Sequence, residues 1–294
     1  MKNVSIIGVG RLGGALAVAL AKKKYKIENL FFRNKKNTDA FQLLNPPPVK
    51  FFKNEYSQIT SEIVLITTGD YEIENVARRL ANKLLHKPYV FHTSGSLSSK
   101  SLRILNDVGC KIGSIHPLAS ISDAVTGAEH FANAFFCVEG DTEAVLIAEK
   151  LVRDLGGKSF SVETEYKTLY HASAVTACGH LVALIDVAVE MLTKCGLGET
   201  DAKTILMPLV KSTIENLGAQ KTSAALTGTF ARADVETLKN HLQIMKKNVS
   251  SEVLEVYLQL GFRSLHLAEL QGADKKNITE MQNKILLAKK KIKC

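Results

Sequence analysis

Near its start the chain reads Val4-Ser5-Ile6-Ile7-Gly8-Val9-Gly10-Arg11-Leu12-Gly13-Gly14. The short apolar run predicts a β-strand, and the alanine- and leucine-rich residues 12–22 predict an α-helix. Between them, the spacing Gly8-x-Gly10-x-x-Gly13 allows a tight turn, a close approach of phosphate to backbone, and close packing of helix on strand. We therefore expect a dinucleotide to bind at Gly8, Gly10, Arg11, Leu12 and Gly13, with its pyrophosphate at the helix N-terminus. The alternative is a domain of this shape that has lost its ligand.

The first half of the chain alternates short apolar runs with helical segments, which is typical of βαβ units in a mostly parallel, doubly wound sheet. Strands are predicted over 4–7, 27–32, 49–52, 63–67, 89–92, 111–115, 134–138 and 158–162. Helical segments dominate after residue 162. The sequence thus predicts a Rossmann-like NADP-binding domain over 1–162 and an all-α domain for substrate binding and dimerisation over 163–294. Residues 181–192 are apolar on nearly every side, which favours a helix in a subunit interface.

Composition limits the function classes. The five cysteines, at positions 110, 137, 178, 195 and 294, are scattered and include no C-x-x-C pair. This spacing argues against disulfides and a metal site, and it favours the reducing cytoplasm. No uninterrupted apolar run approaches the length that a bilayer requires, so we expect no membrane span. The first predicted strand follows three residues after the start, which leaves no room for a signal peptide.

The chain carries a formal net charge of +9. Much of the excess lies in short lysine runs such as 22–24, 246–247 and 289–291. Such runs are usually solvated helix ends, and no aromatic-interleaved basic stripe accompanies them. We therefore expect no nucleic-acid partner, although salt-sensitive nucleic-acid binding is retained as the most distant alternative.

The cofactor is indicated by the residues after the second predicted strand. Enzymes that prefer NAD place a carboxylate there to bind the adenosine ribose, whereas this chain has Arg33 followed by Lys35 and Lys36. A guanidinium binds a phosphate with two parallel hydrogen bonds, and a carboxylate would repel it. The sequence therefore predicts NADP(H). The alternative is that Arg33 is an ordinary exposed charge in a βα loop.

Hydride transfer to a carbonyl or imine requires a group that supplies a proton or stabilises negative charge. Lys167 and His171 are four residues apart at the start of a predicted helix, so they share one face. A lysine desolvated in a cleft can act as the acid, and the histidine can assist it. The alternative is an exposed lysine beside a packing histidine.

Three further segments follow predicted strands, at the sheet edge where open α/β folds bind ligands. Thr67 and Thr68 are expected to bind cofactor. Ser94 is expected to do the same, with Gly95 beside it near the substrate, although Ser94 can equally cap a helix. His116 is expected to face nicotinamide or substrate. In the second half, Arg232 is expected either to bind a substrate carboxylate or to pair with Asp234.

Together these segments resemble a bacterial family of oxidoreductases that pair a Rossmann-like domain with a helical domain of unknown function. The motifs that carry the resemblance are Gly8–Gly13, Thr93-Ser94-Gly95-Ser96, His116-Pro117-Leu118, Lys167-x-x-Tyr170-His171 and Thr227-Gly228 with Arg232-x-Asp234. The family is similar to a wider group that contains 6-phosphogluconate and β-hydroxyacid dehydrogenases, ketopantoate reductase and pyrroline-5-carboxylate reductase.

The resemblance implies a nicotinamide-dependent fold whose helical domains, of the 6-phosphogluconate dehydrogenase-like type, pair into a dimer. Many members of the wider group carry Lys-x-x-x-Asn with lysine as the proton-transfer residue. Lys167 matches that lysine, and His171 stands where the asparagine would be. Thr229 and Ala233 stand where proline and glycine are typical.

The sequence as a whole predicts an NADP(H)-dependent oxidoreductase, active as a homodimer, that reduces a small anionic keto acid as ketopantoate reductase does. One alternative is reduction of a cyclic imine, as in pyrroline-5-carboxylate reductase. A second is a non-catalytic dimer that senses the NADP(H) ratio. A lysine and a histidine side by side favour an enzyme, because a sensor needs no proton donor.

Overall fold

The structure is a computed structural model that describes residues 2–33, 41, 44–52 and 56–292. Of the residues discussed above, Lys35, Lys36 and Cys294 lie outside the described part. The chain divides into two compact units, residues 1–179 and 180–294. The helix that carries Lys167 and His171 belongs to the first unit.

The first unit is built on an eight-stranded sheet in its described residues. Its strands are β1 (Asn3–Ile7), β2 (Lys26–Phe31), β3 (Val49–Phe51), β4 (Ile63–Ile66), β5 (Tyr89–His92), β6 (Lys111–Pro117), β7 (Phe135–Gly140) and β8 (Lys158–Phe160). Their order is β3-β2-β1-β4-β5-β6-β7-β8, and all neighbours are parallel except β6 and β7. The predicted fold class is confirmed. Because the chain order reverses beside β1, the carboxyl ends of β1 and β4 flank the crevice where such sheets bind ligands.

Helices cover both faces of this sheet. They are α1 (Arg11–Lys22), α2 (Asp70–Ala81), α3 (Arg103–Asp107), α4 (Thr142–Asp154) and α5 (Lys167–Ala177). On one face, α1 and α4 bury a core that includes Leu20 and Leu151; on the other, α2 and α3 bury Ile73 and Leu105. The small residues of α1 explain its position, because Gly13 and Ala17 are buried and let the helix lie close to the strands.

The second unit is helical throughout its described residues. Its helices are α6 (Gly179–Lys194), α7 (Glu199–Ala219), α8 (Thr222–Ala225), α9 (Gly228–Ala231), α10 (Val235–Asn248), α11 (Ser251–Leu270) and α12 (Lys275–Ile292). Apolar residues at helical spacing on α10, α11 and α12 form one core around Leu238, Leu258 and Ile285. Ser250 caps α11 by accepting a hydrogen bond from the Val253 N–H at 3.2 Å.

The apolar segment at 163–194 forms two helices, because α5 ends at Ala177 and α6 begins at Gly179. By length and composition alone, Thr164–Lys194 is long and apolar enough to cross a membrane. No segment of that kind was expected from the sequence. Only 6% of its most apolar window is buried within the chain. Core helices of soluble proteins and helices in subunit interfaces have the same composition.

Candidate active site

The turn between β1 and α1 has the geometry of a phosphate-binding turn. Gly8 lies in the left-handed region at φ +97°, which glycine adopts without strain. The Gly10 N–H donates to the Gly8 carbonyl at 2.8 Å, and a Cβ at Gly10 would meet no atom within 4 Å. The first turn of α1 contains no acidic residue, and no side chain caps it. The turn therefore leaves open space in front of helical N–H groups, as an anion requires.

Gly13 plays a different part, because it lets α1 pack on the loop after β4. A Cβ at Gly13 would lie 2.3 Å from Thr67 Oγ1 and 2.7 Å from the Gly8 carbonyl oxygen. The Thr67 hydroxyl donates to that carbonyl at 2.8 Å, so it secures the turn. The Thr68 hydroxyl oxygen is buried and bonds to none of the described residues, which leaves it available to a ligand.

Arg33 is exposed directly after β2. The Gly8 N–H donates to the Phe31 carbonyl at 3.0 Å, so β2 ends beside the phosphate turn. A guanidinium at this edge fits the position where an adenosine ribose carries its 2′-phosphate. The predicted site of Arg33 is thus open, and a carboxylate is absent from the described residues at the end of β2.

A cleft of about 290 Å³ lies at the carboxyl edge of the sheet in the first unit. It is lined by Leu12, Thr67, Thr68, Asp70, Thr93, Ser94, Gly95, His116, Pro117, Ala119, Ile121 and His171. Seven of the residues singled out from the sequence therefore come together: Leu12, Thr67, Thr68, Ser94, Gly95, His116 and His171. This volume and the mixture of apolar and polar residues suit a small molecule.

Two imidazoles meet edge to face in this cleft. The ring centres of His116 and His171 are 5.7 Å apart, and Gly95 lies between them so closely that a Cβ would be 2.5 Å from the His171 ring. The Tyr170 hydroxyl lies 2.6 Å from His116 Nδ1. Burial, reinforced by the nearby His171, lowers the pKa of His116 to about 4. His116 is therefore a neutral imidazole at physiological pH.

The Tyr170 hydroxyl determines which nitrogen of His116 carries the proton. Burial raises the pKa of Tyr170, so the phenol keeps its proton. A phenol is a better donor than acceptor, so we assign the hydrogen bond as Tyr170 Oη–H to Nδ1. The proton of the neutral ring then lies on Nε2, where it can be donated to a molecule in the cleft.

Lys167 does not line the cleft. Its side chain is 1% exposed, and its ammonium lies 2.6 Å from Ser114 Oγ and 3.0 Å from Glu139 Oε1. Glu139 also accepts hydrogen bonds from the N–H and hydroxyl of Ser99, at 2.8 and 2.7 Å. These contacts form a closed polar network between α5, β6 and β7. The catalytic role of Lys167 stays a prediction, and its surroundings are those of a buried ion pair.

His92 lies at the end of β5, between this network and the cleft. Its Nδ1 accepts a hydrogen bond from the Ser94 N–H at 3.2 Å, and its buried Nε2 bonds to none of the described residues. Burial, together with the positive charge of Lys167, lowers the pKa of His92 to about 4. Ser94 Oγ accepts from the N–H groups of Ser96 and Leu97 at 3.2 and 3.0 Å, which forms a local turn. The next helical segment has Ser98 at its N-cap position, so Ser94 is not a helix cap.

Arg232 lies in the second unit and is exposed. Asp234 caps α10, since its carboxylate accepts from the N–H and the hydroxyl of Thr237 at 3.0 and 2.7 Å. Asp234 is therefore the cap of α10, and among the described residues no ion pair joins it to Arg232. Arg11 is exposed at the first position of α1. Among the described residues, no group of three or more His, Cys, Asp and Glu could hold a metal ion.

The structure adds residues that the sequence did not single out as a site: Asp70, His92, Ser114, Glu139 and Tyr170. Tyr170 lies within a quoted motif, and its spacing of three residues from Lys167 places both on one side of α5. Glu139 carries no comparable signal, because it meets Ser114 only through the antiparallel pairing of β6 with β7.

Two protein-family models match the sequence. A Rossmann-like domain matches residues 1–117, and a domain of unknown function, DUF2520, matches residues 134–264. The predicted combination of a Rossmann-like domain with a helical domain of unknown function is thereby confirmed. No protein with a curated description matches the sequence.

Solved structures with the same fold span most of the chain. A Bacteroides fragilis protein with the provisional name NADP oxidoreductase is 19% identical with a TM-score of 0.73, over 90% of this chain and 98% of its own. Protein TM1727 from Thermotoga maritima is 22% identical with a TM-score of 0.69, over 91% and 99%. Plasmodium falciparum pyrroline carboxylate reductase, solved with NADP bound, is 14% identical with a TM-score of 0.59, over 96% and 97%. At these identities the likeness shows the fold.

Proposed function

We propose that this chain, which joins a Rossmann-like domain to a DUF2520 domain, is an NADP(H)-dependent oxidoreductase that reduces a small molecule in the cleft. One observation carries the proposal: the cleft brings the phosphate-turn residue Leu12 together with the imidazoles of His116 and His171. A dinucleotide site and proton-handling groups share one cavity, as hydride transfer requires. The names of the similar structures in Bacteroides and Plasmodium support the same class.

The residues of the turn fit the cofactor. The open space at Gly10 and the uncapped first turn of α1 would hold the pyrophosphate. Arg33 would bind the 2′-phosphate, and the unpartnered Thr68 hydroxyl would bind another polar group of the cofactor. When bound, the cofactor supplies or accepts a hydride.

His116 and His171 would act on the substrate. The Nε2–H of neutral His116 would donate a hydrogen bond to the carbonyl oxygen of a keto acid and stabilise its developing negative charge. His171 would deliver or remove the proton at the same atom. The lack of a side chain at Gly95 lets both rings lie at this edge of the cleft, since a Cβ there would be 2.5 Å from His171 and 2.7 Å from His116. Lys167, predicted from the sequence as acid/base, would act instead through Glu139 and Ser114, by holding the strands that carry His116.

The proposed substrate is a small keto acid, as the sequence predicts, and carboxylate binding by Arg232 stays a prediction. Reduction of an imine is a second candidate, favoured by one observation. Asp70 is the only Asp, Glu, Lys or Arg among the described residues that line the cleft. A carboxylate there favours a substrate with positive charge at the reacting centre, such as a protonated imine.

The protein would act as a cytoplasmic homodimer paired through the second unit. Several large apolar side chains of α6 and α7 are exposed within the chain, including Val182 at 70%, Leu209 at 64% and Ile205 at 56%. Patches of this kind mark interaction surfaces. Sedimentation at several concentrations tests the dimer, and substitution of Leu209 by Asp should shift it to the monomer.

Two glycine variants separate cofactor binding from folding. Gly10→Ala adds a methyl group into open space, so we expect an unchanged melting temperature and roughly tenfold weaker NADPH binding, which corresponds to the loss of about 1.4 kcal/mol. Gly13→Ala collides with Thr67 and should lower the melting temperature itself. Equal NADPH affinity of Gly10→Ala and the unchanged protein would argue against a dinucleotide in this turn.

Cofactor choice and catalysis are tested separately. Arg33→Gln should weaken NADPH binding and leave NADH binding unchanged; equal losses would remove Arg33 from its proposed role. NADPH oxidation should then be followed with a keto-acid panel and a cyclic-imine panel. Turnover on one panel identifies the substrate class, whereas tight NADPH binding without turnover on either favours the sensor.

A further inference from the structure

The second unit carries a lysine-lined groove between α10 and α12 that plays no part in the proposed chemistry. The groove has a volume of about 440 Å³. Lysines 239, 246 and 247 of α10 and lysines 284 and 291 of α12 line its sides. Leu242, Leu287 and Ala288 supply its apolar lining.

Both sides of the groove are regular helical stripes. On α10 the lining residues follow the spacing 239, 242, 243, 246 and 247, and on α12 the spacing 284, 287, 288 and 291. Residues at these intervals lie on one helix face. From residue 239 to residue 247 the lined face extends roughly 12 Å at 1.5 Å per residue, which is about two helical turns.

The charges of the groove are only partly compensated. Glu236 and Glu280 lie 3.3 Å from Lys239 and Lys284 within their own helices. Within the described part of the chain, Lys246, Lys247 and Lys291 form no ion pair. The five lysines are thus accompanied by two carboxylates, and the excess of positive charge flanks an apolar lining in which Leu287 is 59% exposed.

We propose that this groove binds an acidic amphipathic helix of a partner protein. The apolar lining would accept leucine- or phenylalanine-type side chains spaced three or four residues apart, and the lysines would pair with flanking carboxylates. The charge complementarity decides the class of partner, because like charges across an interface are strongly unfavourable.

Two other anionic partners fit less well. A nucleic acid would use arginine and stacking aromatic residues, and the groove is lined by neither. A membrane surface needs a broad exposed apolar face, whereas of the apolar lining residues only Leu287 is exposed, and Leu242 and Ala288 are 7% and 2% exposed. Both remain as outcomes of the test.

The test uses the full chain and a fluorescent 14-residue peptide with leucine at positions 1, 4, 8 and 11 and glutamate on the flanking positions. A second peptide has the same composition in an order that destroys the helical spacing. We expect saturable binding of the first peptide in the micromolar range at about 0.1 M ionic strength, and at least tenfold weaker binding of the second. Equal binding of the two peptides would overturn the proposal, as would no saturable binding of the first below about 100 μM.

Matched variants locate the binding. Lys246→Glu/Lys291→Glu should weaken the first peptide at least tenfold, and Leu287→Gln severalfold. Lys276→Glu/Lys221→Glu changes the net charge equally on exposed residues that do not line the groove, so it should leave binding nearly unchanged. Circular dichroism checks that all variants are folded.

The proposal is wrong if both charge reversals weaken binding equally, because the interaction would then be unspecific attraction. It is also wrong if the groove variant loses binding to anionic phospholipid vesicles or to single-stranded DNA while the peptide is unaffected. Either result would identify a different class of partner.

Discussion

One helix, α5, serves two regions of opposite character. Lys167 turns inward to a closed network with Glu139 and Ser114, in which all three side chains are at least nine-tenths buried. About one turn further on, His171 lines the cleft, and the Tyr170 hydroxyl contacts the cleft residue His116. The difference shows that residues close in sequence can have separate roles, one in stabilising the strands around the site and the other in contacting a ligand. Proximity to a predicted active-site motif therefore does not establish a catalytic role.

The largest effect should come from breaking the closed network. Lys167→Met leaves Glu139 buried without its counter-ion, and we expect the free energy of unfolding to fall by about 3–5 kcal/mol. Arg78→Met is the control, since Arg78 pairs with Glu74 at 3.4 Å on the exposed surface of α2, and it should cost less than about 1 kcal/mol. Urea denaturation measures both. Similar small losses in the two variants would mean that the network does not hold the fold.

A double variant distinguishes a positioning role of Lys167 from direct proton transfer. A positioning role predicts that Lys167→Met/Glu139→Met, which removes both charges, recovers stability and part of kcat relative to Lys167→Met. Direct proton transfer by Lys167 predicts that stability recovers while kcat does not.

The second effect concerns the cleft and should appear in kinetics. His116→Phe keeps a ring in the cleft and removes the Nε2 donor, so we expect kcat to fall about 100- to 1000-fold, as when one donor to a developing charge is lost. The melting temperature should change far less than in Lys167→Met. His130→Phe, at an exposed position, is the control and should retain kcat. If His116→Phe retained kcat, the hydrogen bond that polarises the substrate would have to come from a group other than His116.

Much of this fold could be predicted from the sequence because its signals are local. Each of the eight predicted strands is present within a few residues, and the glycine spacing predicts the β1–α1 turn whose geometry Gly8, Gly10 and Gly13 then show. The cleft residues Thr67 and Ser94 could also be predicted, since each follows a parallel strand and such strands end at one edge. The sequence predicts His116 just after a strand, whereas it lies near the end of β6, which extends to Pro117.

The buried network could not be predicted in this way. Whether Lys167 points to the cleft or away from it depends on the register of β6 against β7, which brings Glu139 opposite Ser114. That pairing is antiparallel within a sheet of otherwise parallel neighbours, and no local pattern specifies it. The interruption at Cys178 is similar, because residues 163–194 show continuous helical character in sequence.

The third effect is the pH dependence of stability, which reports on His92 between the two regions. The pKa of His92 is about 4 in the folded chain, compared with 6.5 for an ordinary histidine, so the unfolded chain binds this proton more readily. Its contribution is therefore fully present above about pH 6.5 and is lost as pH falls towards 4, by at most about 3 kcal/mol. His92→Asn retains an acceptor for the Ser94 N–H and does not titrate. Unfolding curves from pH 7 to 4 should be flatter for this variant, and parallel curves would contradict the assignment.

The smallest effect separates positioning from polarisation within the cleft itself. Tyr170→Phe removes only the hydroxyl that lies 2.6 Å from His116 Nδ1, so the ring of His116 can then place its proton on either nitrogen. We expect kcat to fall roughly five- to tenfold, which corresponds to about 1 kcal/mol for one hydrogen bond, with KM for NADPH unchanged. Tyr166→Phe, at an exposed tyrosine just before α5, should have no effect. In the His116→Phe background Tyr170→Phe should cause no further loss of kcat, because Tyr170 acts only through His116. Additive losses in the double variant would show instead that the Tyr170 hydroxyl acts on the reaction independently of His116.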